Sequence, residues 1–271
     1  MNLKRAIYPG KKLLASKFKK IIKTFTKKLD NYINDPNEEN IHDIRIAIRR
    51  MEAVYRILPK SNRKCEDLQN YVKQAKALFK INTQVRDFDI IRAKLDRRNP
   101  TQFALIIDSI DNKRKFQLNA GRRLALKLKS ATEPKLKEND IKESRVRKRF
   151  QKIVSGLIID INHNIPLALS DDKKIEDIHK LRKDFKKIRY SIELTVDNID
   201  SLRSIKSLKK IQDELGLIHD SDIFLNYLKD IEGPHGLSEI IRDEIIERRE
   251  RYQKFVQVFK DEKIDPKKLI L

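Results

Sequence analysis

Apolar side chains recur every three or four residues along most of the chain. An early segment shows the pattern on one face of a helix, at Leu14, Phe18, Ile21, Ile22, Phe25 and Leu29. Because residues advance by about 100° in an α-helix, this spacing gathers them on one side and leaves the other side to lysines. Neither half contains the alternation that is typical of a β-strand. We therefore predict an all-α protein.

Proline, glycine and polar residues divide this pattern into helices. The first is predicted from about residue 11 to residue 32. Asp35 is predicted to cap the second helix, with Pro36 at its first position and Glu38 in a capping box, and this helix should end near residue 58. In the first half, further helices are predicted from residue 65, with a break near Asn82 and Thr83, and from after Asn99 and Pro100 to residue 130. In the second half, helices are predicted from 138 to 161 and from about 172. The next helix should break at Leu215 and Gly216, and the last should run from after Gly233 and Pro234 to about 263.

One stretch occurs twice. Residues 41–51 read IHDIRIAIRRM, and residues 178–188 read IHKLRKDFKKI. Both have an apolar residue, a histidine, two further residues, an arginine and then a basic pair. An Asp-x-Asp segment also recurs, at Asp87 and Asp89 and again at Asp220 and Asp222. The two copies of the histidine stretch are 137 residues apart, and the two Asp-x-Asp segments are 133 residues apart. We therefore predict an internal duplication, with two repeats of about four helices, about 1–133 and 134–271, in a single domain that spans 1–271.

On a helical wheel each repeated stretch has an apolar face and a basic face that carries a histidine. The first basic stripe contains His42, Arg45, Arg49 and Arg56, with Arg50 at its edge. The second contains His179, Arg182, Lys183, Lys186, Arg189 and Tyr190, with Lys187 completing the basic pair. The next helix of each repeat adds lysines at matching positions, namely Lys73 and Lys76, and Lys206 and Lys209. If two tandem four-helix bundles pack about a pseudo-twofold axis, both stripes should line a basic central cleft.

The charge balance favours a polyanionic partner. Lysine and arginine number 62 against 40 aspartates and glutamates, so the formal net charge is +22. Such a charge repels itself in the compact state, and nucleic acid, an anionic membrane or a phosphate polymer would offset it. Cys65 is the single cysteine, so neither a disulfide nor a zinc site is expected. Because no apolar run has the length of a signal peptide core or a membrane span, we expect a cytoplasmic protein with no membrane role.

The basic stripes are chemically suited to phosphate. The planar fork of arginine binds phosphate oxygens through two parallel hydrogen bonds, and lysine adds a point charge. The two stripe histidines could donate to phosphate or could orient an arginine, and the sequence leaves both roles open. The aspartates of the two Asp-x-Asp segments are predicted to cap short helices or to support the motif arginines, in preference to holding a metal. Neither a metal nor another cofactor is expected.

Two other functions compete with phosphate binding. Nonspecific nucleic-acid binding needs only a basic surface. The chain has no tryptophan and only Tyr190 interrupts a basic stripe, so stacking on bases is poorly supported. A metal-dependent HD-type phosphohydrolase is suggested by the pairs His42–Asp43 and His219–Asp220. That family needs a further histidine and aspartate around the pair, and cations beside the stripe histidines would repel a divalent metal.

The repeated motifs resemble those of the CHAD domain, the histidine-containing α-helical domain. The resemblance lies in both His-x-x-Arg frames with their basic pairs, in residues 188–193 (IRYSIE), in residues 208–216 (LKKIQDELG) with the following His219 and Asp220, and in residues 85–89 (VRDFD). It spans about residues 10–260. Two positions depart from the family pattern. Glu52 stands where a basic residue is common, and Thr83 stands where the second half has Gly216.

This resemblance implies two four-helix bundles with pseudo-twofold symmetry and a basic cavity that binds inorganic polyphosphate without catalysis. Polyphosphate is then the expected partner, in storage, targeting or regulation. Weak nonspecific binding of nucleic acid stays open as an additional property. Association with polyphosphate granules is compatible with the expected cytoplasmic location.

Overall fold

The computed structural model describes residues 8–98, 101–195, 203–231 and 237–265. Over these ranges the chain is helical and contains no β-strand, so the predicted all-α class is confirmed. The helices are α1 (Lys11–Asn34), α2 (Glu38–Ile57), α3 (Lys60–Arg63), α4 (Glu66–Asp96), α5 (Ala104–Ser130), α6 (Glu143–Ser170), α7 (Ile175–Ile192), α8 (Arg203–Lys229) and α9 (Leu237–Glu262). The pairs Asn99–Pro100 and Gly233–Pro234, which were predicted to precede helices, lie outside the described residues.

The described chain forms two compact units, and the first is Pro9–Phe150. Within it α1 packs on α2 and α5, and α4 packs on α2 and α5, so these helices close into a four-helix arrangement. The apolar positions predicted from the periodicity supply its core, which includes Leu14, Phe18, Phe25, Leu29, Ile44, Ile48 and Met51. Burial of these side chains is the main favourable contribution to this unit's stability.

The second unit lies in Gln151–Leu271. Its α8 packs against both α7 and α9. The side chains buried in this unit include Phe185, Ile188, Leu208, Ile211, Leu215, Phe224 and Phe255. The division between the units falls after Phe150, inside α6, whereas the repeat boundary predicted from the sequence lies between α5 and a 3₁₀ turn at Glu138–Asp140.

The start of α2 differs from the prediction. Its N-cap is Asn37, whose side-chain oxygen accepts a hydrogen bond of 2.9 Å from the backbone N–H of Asn40. Asp35, the predicted cap, ends α1 instead, because its own N–H donates to the carbonyl of Asn31. The Asp35 carboxylate accepts a 2.7 Å hydrogen bond from the Asn37 side chain. The helix therefore begins later than the Asp-Pro signal indicated.

The predicted break in α4 is wrong, because Asn82 and Thr83 lie inside a continuous helix of 31 residues. Asn82 is fully buried, and its side-chain oxygen accepts a 2.9 Å hydrogen bond from the hydroxyl of Tyr32 on α1. The Thr83 hydroxyl donates to the carbonyl of Phe79, one turn earlier. Both polar side chains therefore have partners that are compatible with a helix.

The predicted break at Leu215 and Gly216 is also wrong, since α8 runs through both. Glycine in a helix interior costs about 1 kcal/mol relative to alanine. The fully buried neighbours Leu215 and Ile218 bind this segment to the core, and that burial outweighs the cost. As a result, the aspartates of both Asp-x-Asp segments lie inside α4 and α8, and none of them caps a helix.

Two glycines give a matched test of this packing. We expect Gly121→Ala to lower the free energy of unfolding by about 1–3 kcal/mol, because a Cβ there would clash with the Tyr32 hydroxyl. Gly216→Ala should raise it by about 1 kcal/mol, because no atom lies within 4 Å of its added Cβ. Urea unfolding of the two variants measures both changes. Equal changes of the same sign would contradict the prediction.

Helix α6 is the most apolar helix of the chain that the structure describes. By length and composition it could cross a membrane. One stretch within it has a mean hydropathy of 1.3, and 33% of that stretch is buried. The core helix of a soluble protein passes the same test, so the finding carries no membrane assignment. It does qualify the expectation that no segment has the length and hydropathy of a span.

Candidate anion-binding site

In the first unit, two arginines of the predicted stripe share one aromatic ring. Arg45 and Arg49 lie one turn apart on α2, and each guanidinium carbon is 4.7 Å from the ring centroid of Phe79 on α4. Arg45 also donates a 2.8 Å hydrogen bond to the hydroxyl of Thr83. These contacts restrict both side chains without neutralising their charge, since a ring face attracts a cation through its quadrupole. Phe79 is not among the residues predicted for this site, so its role in placing the arginines was missed.

Lysines on α4 extend the cationic surface beside these arginines. Lys73 and Lys76 are both exposed. Lys76 lies 3.8 Å from a carboxylate oxygen of Glu52 on α2, and its ammonium is 5.9 Å from the Tyr55 ring centroid. Glu52 therefore offsets part of the charge at the position where the family pattern has a basic residue. We call His42, Arg45, Arg49, Lys73 and Lys76 the first basic surface.

The remaining stripe residues of the first unit differ in exposure. His42 is exposed, while Arg50 and Arg56 are half-buried. Burial lowers the pKa of Arg56, and Glu52 opposes that shift. The backbone carbonyl of Arg56 accepts a 2.6 Å hydrogen bond from Arg149, so this end of α2 is tied to α6.

In the second unit, a histidine of the predicted stripe is hydrogen-bonded to the carboxylate of a buried ion pair. The Nε2 atom of His179 lies 2.8 Å from Oδ2 of Asp222 on α8. The other oxygen of Asp222 accepts a 2.5 Å hydrogen bond from Nε of Arg248 on α9. Arg248 also donates to the backbone carbonyl of Asp172 at 2.8 Å. Asp222 and Arg248 are only 3% and 5% exposed, so both charges of this pair are held inside the unit.

A second histidine completes this cluster. The rings of His179 and His219 are 4.6 Å apart and tilted by 37°. Burial, followed by the charge of Arg182, lowers the pKa of His219 to about 3, and Lys186 adds to the effect. His219 is therefore neutral at pH 7 and lies within the field of both cations. We call His179, Arg182, Lys186 and His219 the second basic surface.

Asp222 keeps its charge in this setting. Burial by itself would raise the pKa of its carboxyl group, but the hydrogen bonds from His179 and Arg248 outweigh burial and lower that pKa. The ionised carboxylate accepts hydrogen bonds only, so the proton on Nε2 of His179 belongs to the histidine. The consequence is a defined ring orientation for His179.

The other predicted residues of the second unit divide into three groups. Lys183, Lys206 and Lys209 are exposed. Lys187 is exposed but lies 2.8 Å from a carboxylate oxygen of Asp184 on its own helix. Arg189 is half-buried, 3.7 Å from Glu193, with its guanidinium over the ring of Tyr190. The placement of Tyr190 on the polar stripe is wrong, since it is 7% exposed and its ring contributes to the core.

The aspartate–arginine pair of the second unit has a counterpart in the first. Asp89 Oδ1 accepts a 2.5 Å hydrogen bond from Nε of Arg114, through the same atoms as Asp222 and Arg248. Each arginine follows its aspartate by 25 or 26 residues, a signal that the motif comparison missed. The pairs differ at Oδ2, because that oxygen of Asp89 is buried without a hydrogen-bond partner and that of Asp222 is bonded to His179. Burial, the largest effect, raises the pKa of Asp89.

The chemistry available at both surfaces is that of cationic donors. Among the residues described, no group of three or more histidines, cysteines, aspartates and glutamates is placed to hold a metal ion. The His-Asp pairs that suggested a phosphohydrolase are otherwise engaged. Asp43 forms an ion pair with Lys28, and His219 lies in the field of Arg182, which would repel a divalent cation. Guanidinium, ammonium and protonated imidazole groups all favour anions.

Comparison with known proteins identifies the family and the fold. The family profile of the CHAD domain matches residues 16–229. The crystal structure of the CHAD domain from the plant Ricinus communis superposes with a TM-score of 0.62 at 14% identity, over 97% of this chain and 91% of that chain. None of the curated proteins matches the chain. Because the family profile covers most of the sequence and the fold is shared, the chain belongs to the CHAD domain family.

Proposed function

We propose that this chain binds inorganic polyphosphate at its two basic surfaces and does not turn it over. The observation that carries the proposal is the placement of Arg45 and Arg49 on one Phe79 ring, which holds two guanidinium groups side by side. One helical turn separates them by a rise of about 6 Å, so both can bind phosphate groups of the same chain. Restricting the side chains beforehand reduces the entropy lost on binding.

Recurrence of the same residue types supports a polymer as the ligand. His179, Arg182 and Lys186 on α7 repeat the pattern of His42, Arg45 and Arg49 on α2. A polymer of phosphates presents regular negative charge, and a chain that contacts several cations at once gains from the high local concentration of each further contact. The net charge of +22 favours such a ligand over a single phosphate ion.

The aromatic content of the surfaces argues against nucleic acid as the preferred ligand. Single-stranded nucleic acid is usually bound by stacking its bases on aromatic rings. The ring of Phe79 already carries two guanidinium groups, and Tyr190 is buried. A phosphate polymer has no bases and therefore loses nothing when rings are unavailable.

Binding should be electrostatic and strongly sensitive to salt. Each phosphate neutralised by the protein releases condensed counterions, so by analogy with nucleic acid the logarithm of the affinity should fall against the logarithm of the salt concentration with a slope of about −0.7 to −0.9 per phosphate. Titration of labelled long-chain polyphosphate at several salt concentrations measures this slope. A flat plot would contradict the proposal.

Competition and turnover assays complete the experiment. At physiological salt, unlabelled polyphosphate should displace the labelled chain at far lower concentration than double-stranded DNA of equal charge. Equal competition by DNA would favour the nucleic-acid function instead. The same mixtures, with added divalent metal, should release no orthophosphate. Metal-dependent release that His219→Ala abolishes would replace the binding function by a hydrolase.

A further inference from the structure

The second basic surface contains a buried support that the first basic surface lacks. Asp222 is bonded through one oxygen to Arg248 and through the other to His179. Arg248 is fixed in turn by the backbone carbonyl of Asp172, 2.8 Å away. In the first unit the equivalent carboxylate, Asp89, binds Arg114 only, and its second oxygen has no hydrogen-bond partner. The two repeats therefore share the ion pair and differ in whether a histidine is attached to it.

This attachment determines what His179 can offer to an anion. Its Nε2–H faces the Asp222 carboxylate, so Nδ1 is the nitrogen left for a ligand. In the neutral ring Nδ1 carries a lone pair, which cannot donate to phosphate and would repel it. In the imidazolium Nδ1 carries a proton and becomes a charged donor. A phosphate oxygen at Nδ1 is therefore bound by the protonated ring, and the hydrogen bond to Asp222 fixes which nitrogen that is.

We propose that Asp222, held by Arg248, is a positioning residue that makes His179 bind phosphate as an imidazolium, so that polyphosphate binding in the second unit takes up a proton. The inference rests on the proposed function and names a regulation of the same surface, by pH. The proton comes from solvent and is held on Nδ1 of His179, between the ring and a phosphate oxygen.

The charges around His179 set the direction of the effect. The groups that face or flank it are Glu176, Arg182, Lys183 and Lys186 on α7, His219 and Asp222 on α8, Arg248 on α9 and Asp172 before α7. In the free protein the cations Arg182 and Lys186 oppose a positive charge on the neighbouring His219. Phosphate groups that bind Arg182 and Lys186 offset those cations, so protonation becomes easier when the ligand is present. By linkage, affinity must then rise as pH falls.

The experiment measures affinity and proton uptake together on the intact chain. Titration calorimetry with long-chain polyphosphate at pH 6, 7 and 8 and constant ionic strength gives the affinity. Repeating it at pH 7 in buffers of different ionisation enthalpy gives the number of protons taken up. Long chains are required because their terminal phosphates, which titrate near neutrality, are then a negligible fraction of the ligand. We expect affinity to increase towards pH 6, by up to about tenfold per pH unit for one proton.

Three variants separate positioning from mere structure. His179→Gln keeps an N–H donor for Asp222 but cannot be protonated, so binding should persist through the cations while the pH dependence and the buffer dependence disappear. Asp222→Asn should remove most of both although His179 remains. His163→Gln, at an exposed histidine on α6, should leave both dependences unchanged.

Each outcome decides the matter. A wild-type affinity that is constant between pH 6 and 8, with no buffer dependence, overturns the inference and leaves the proposed function intact. Retention of the full pH dependence in His179→Gln overturns it as well, and this variant suffices if Asp222→Asn fails to fold. A chain that binds no polyphosphate at any pH overturns the proposed function and this inference with it.

Discussion

Arg45→Glu and Arg182→Glu are each expected to lower the affinity for long-chain polyphosphate by at least about tenfold. A hydrogen bond between charged groups contributes roughly 1.5–3 kcal/mol, which corresponds to about 10- to 100-fold in affinity. The introduced carboxylate adds repulsion to the lost contact. The two residues occupy equivalent places in the two repeats, so both changes should matter although they lie in different units. Calorimetric titration at fixed salt and pH measures the loss.

Lys113→Glu is the matched control for these reversals, since it makes the same change of net charge at an exposed position of α5. It should reduce affinity far less, because it acts only through the general field of the protein. Thermal unfolding of all three variants is needed in parallel, as Arg45 also bonds to Thr83. A loss in Lys113→Glu equal to that in Arg45→Glu would show that net charge alone determines binding.

Arg248→Ala is expected to lower the free energy of unfolding by about 3–5 kcal/mol. Removing one partner of a buried ion pair leaves the other charge uncompensated. Asp222 is 3% exposed, and Arg248 is one of the two groups that hold the pKa of its carboxyl group down against burial, so the variant leaves a buried acidic group with His179 as its remaining partner. Urea unfolding at pH 7 measures the change.

Arg114→Ala provides the comparison in the first unit, and we expect a smaller loss there. Burial already raises the pKa of Asp89, so that carboxyl group can take up a proton when its partner is removed. The Arg114 side chain is also more exposed, at 25% against 7% for Arg248. A larger loss in Arg114→Ala than in Arg248→Ala would contradict the account of both pairs.

Much of the fold was predictable because helical periodicity is a local property of the sequence. Helix α1 begins at Lys11 as predicted and ends two residues after the predicted end. The prediction failed at Asn82, because a polar side chain there indicates a helix break unless its hydrogen-bond partner is known. That partner, Tyr32, lies 50 residues away on another helix. The prediction failed at Gly216 for a related reason, because burial of the neighbouring Leu215 and Ile218 stabilises a continuous helix.

The candidate site was predictable as a set of positions and not as a set of contacts. The helical wheel placed Arg45 and Arg49 on one face, and they do share a surface. It also placed Tyr190 among the cations, although this side chain is buried. A wheel describes directions around one helix, whereas burial depends on what the neighbouring helices bring to that direction.

The helical class followed from the sequence alone, and the sequence also predicts a duplicated unit in which each repeat carries a histidine and cations on one face. What each of these groups contacts depends on how the helices pack. His179 and Asp222 are 43 residues apart in the chain, and Arg248 and Asp172 are 76 apart. Such contacts arise when helices pack, because burial strengthens an ion pair and penalises any charge left without a partner. The pattern of residues along one helix does not specify these contacts between helices. Histidines at matching positions of the two repeats can therefore have different surroundings.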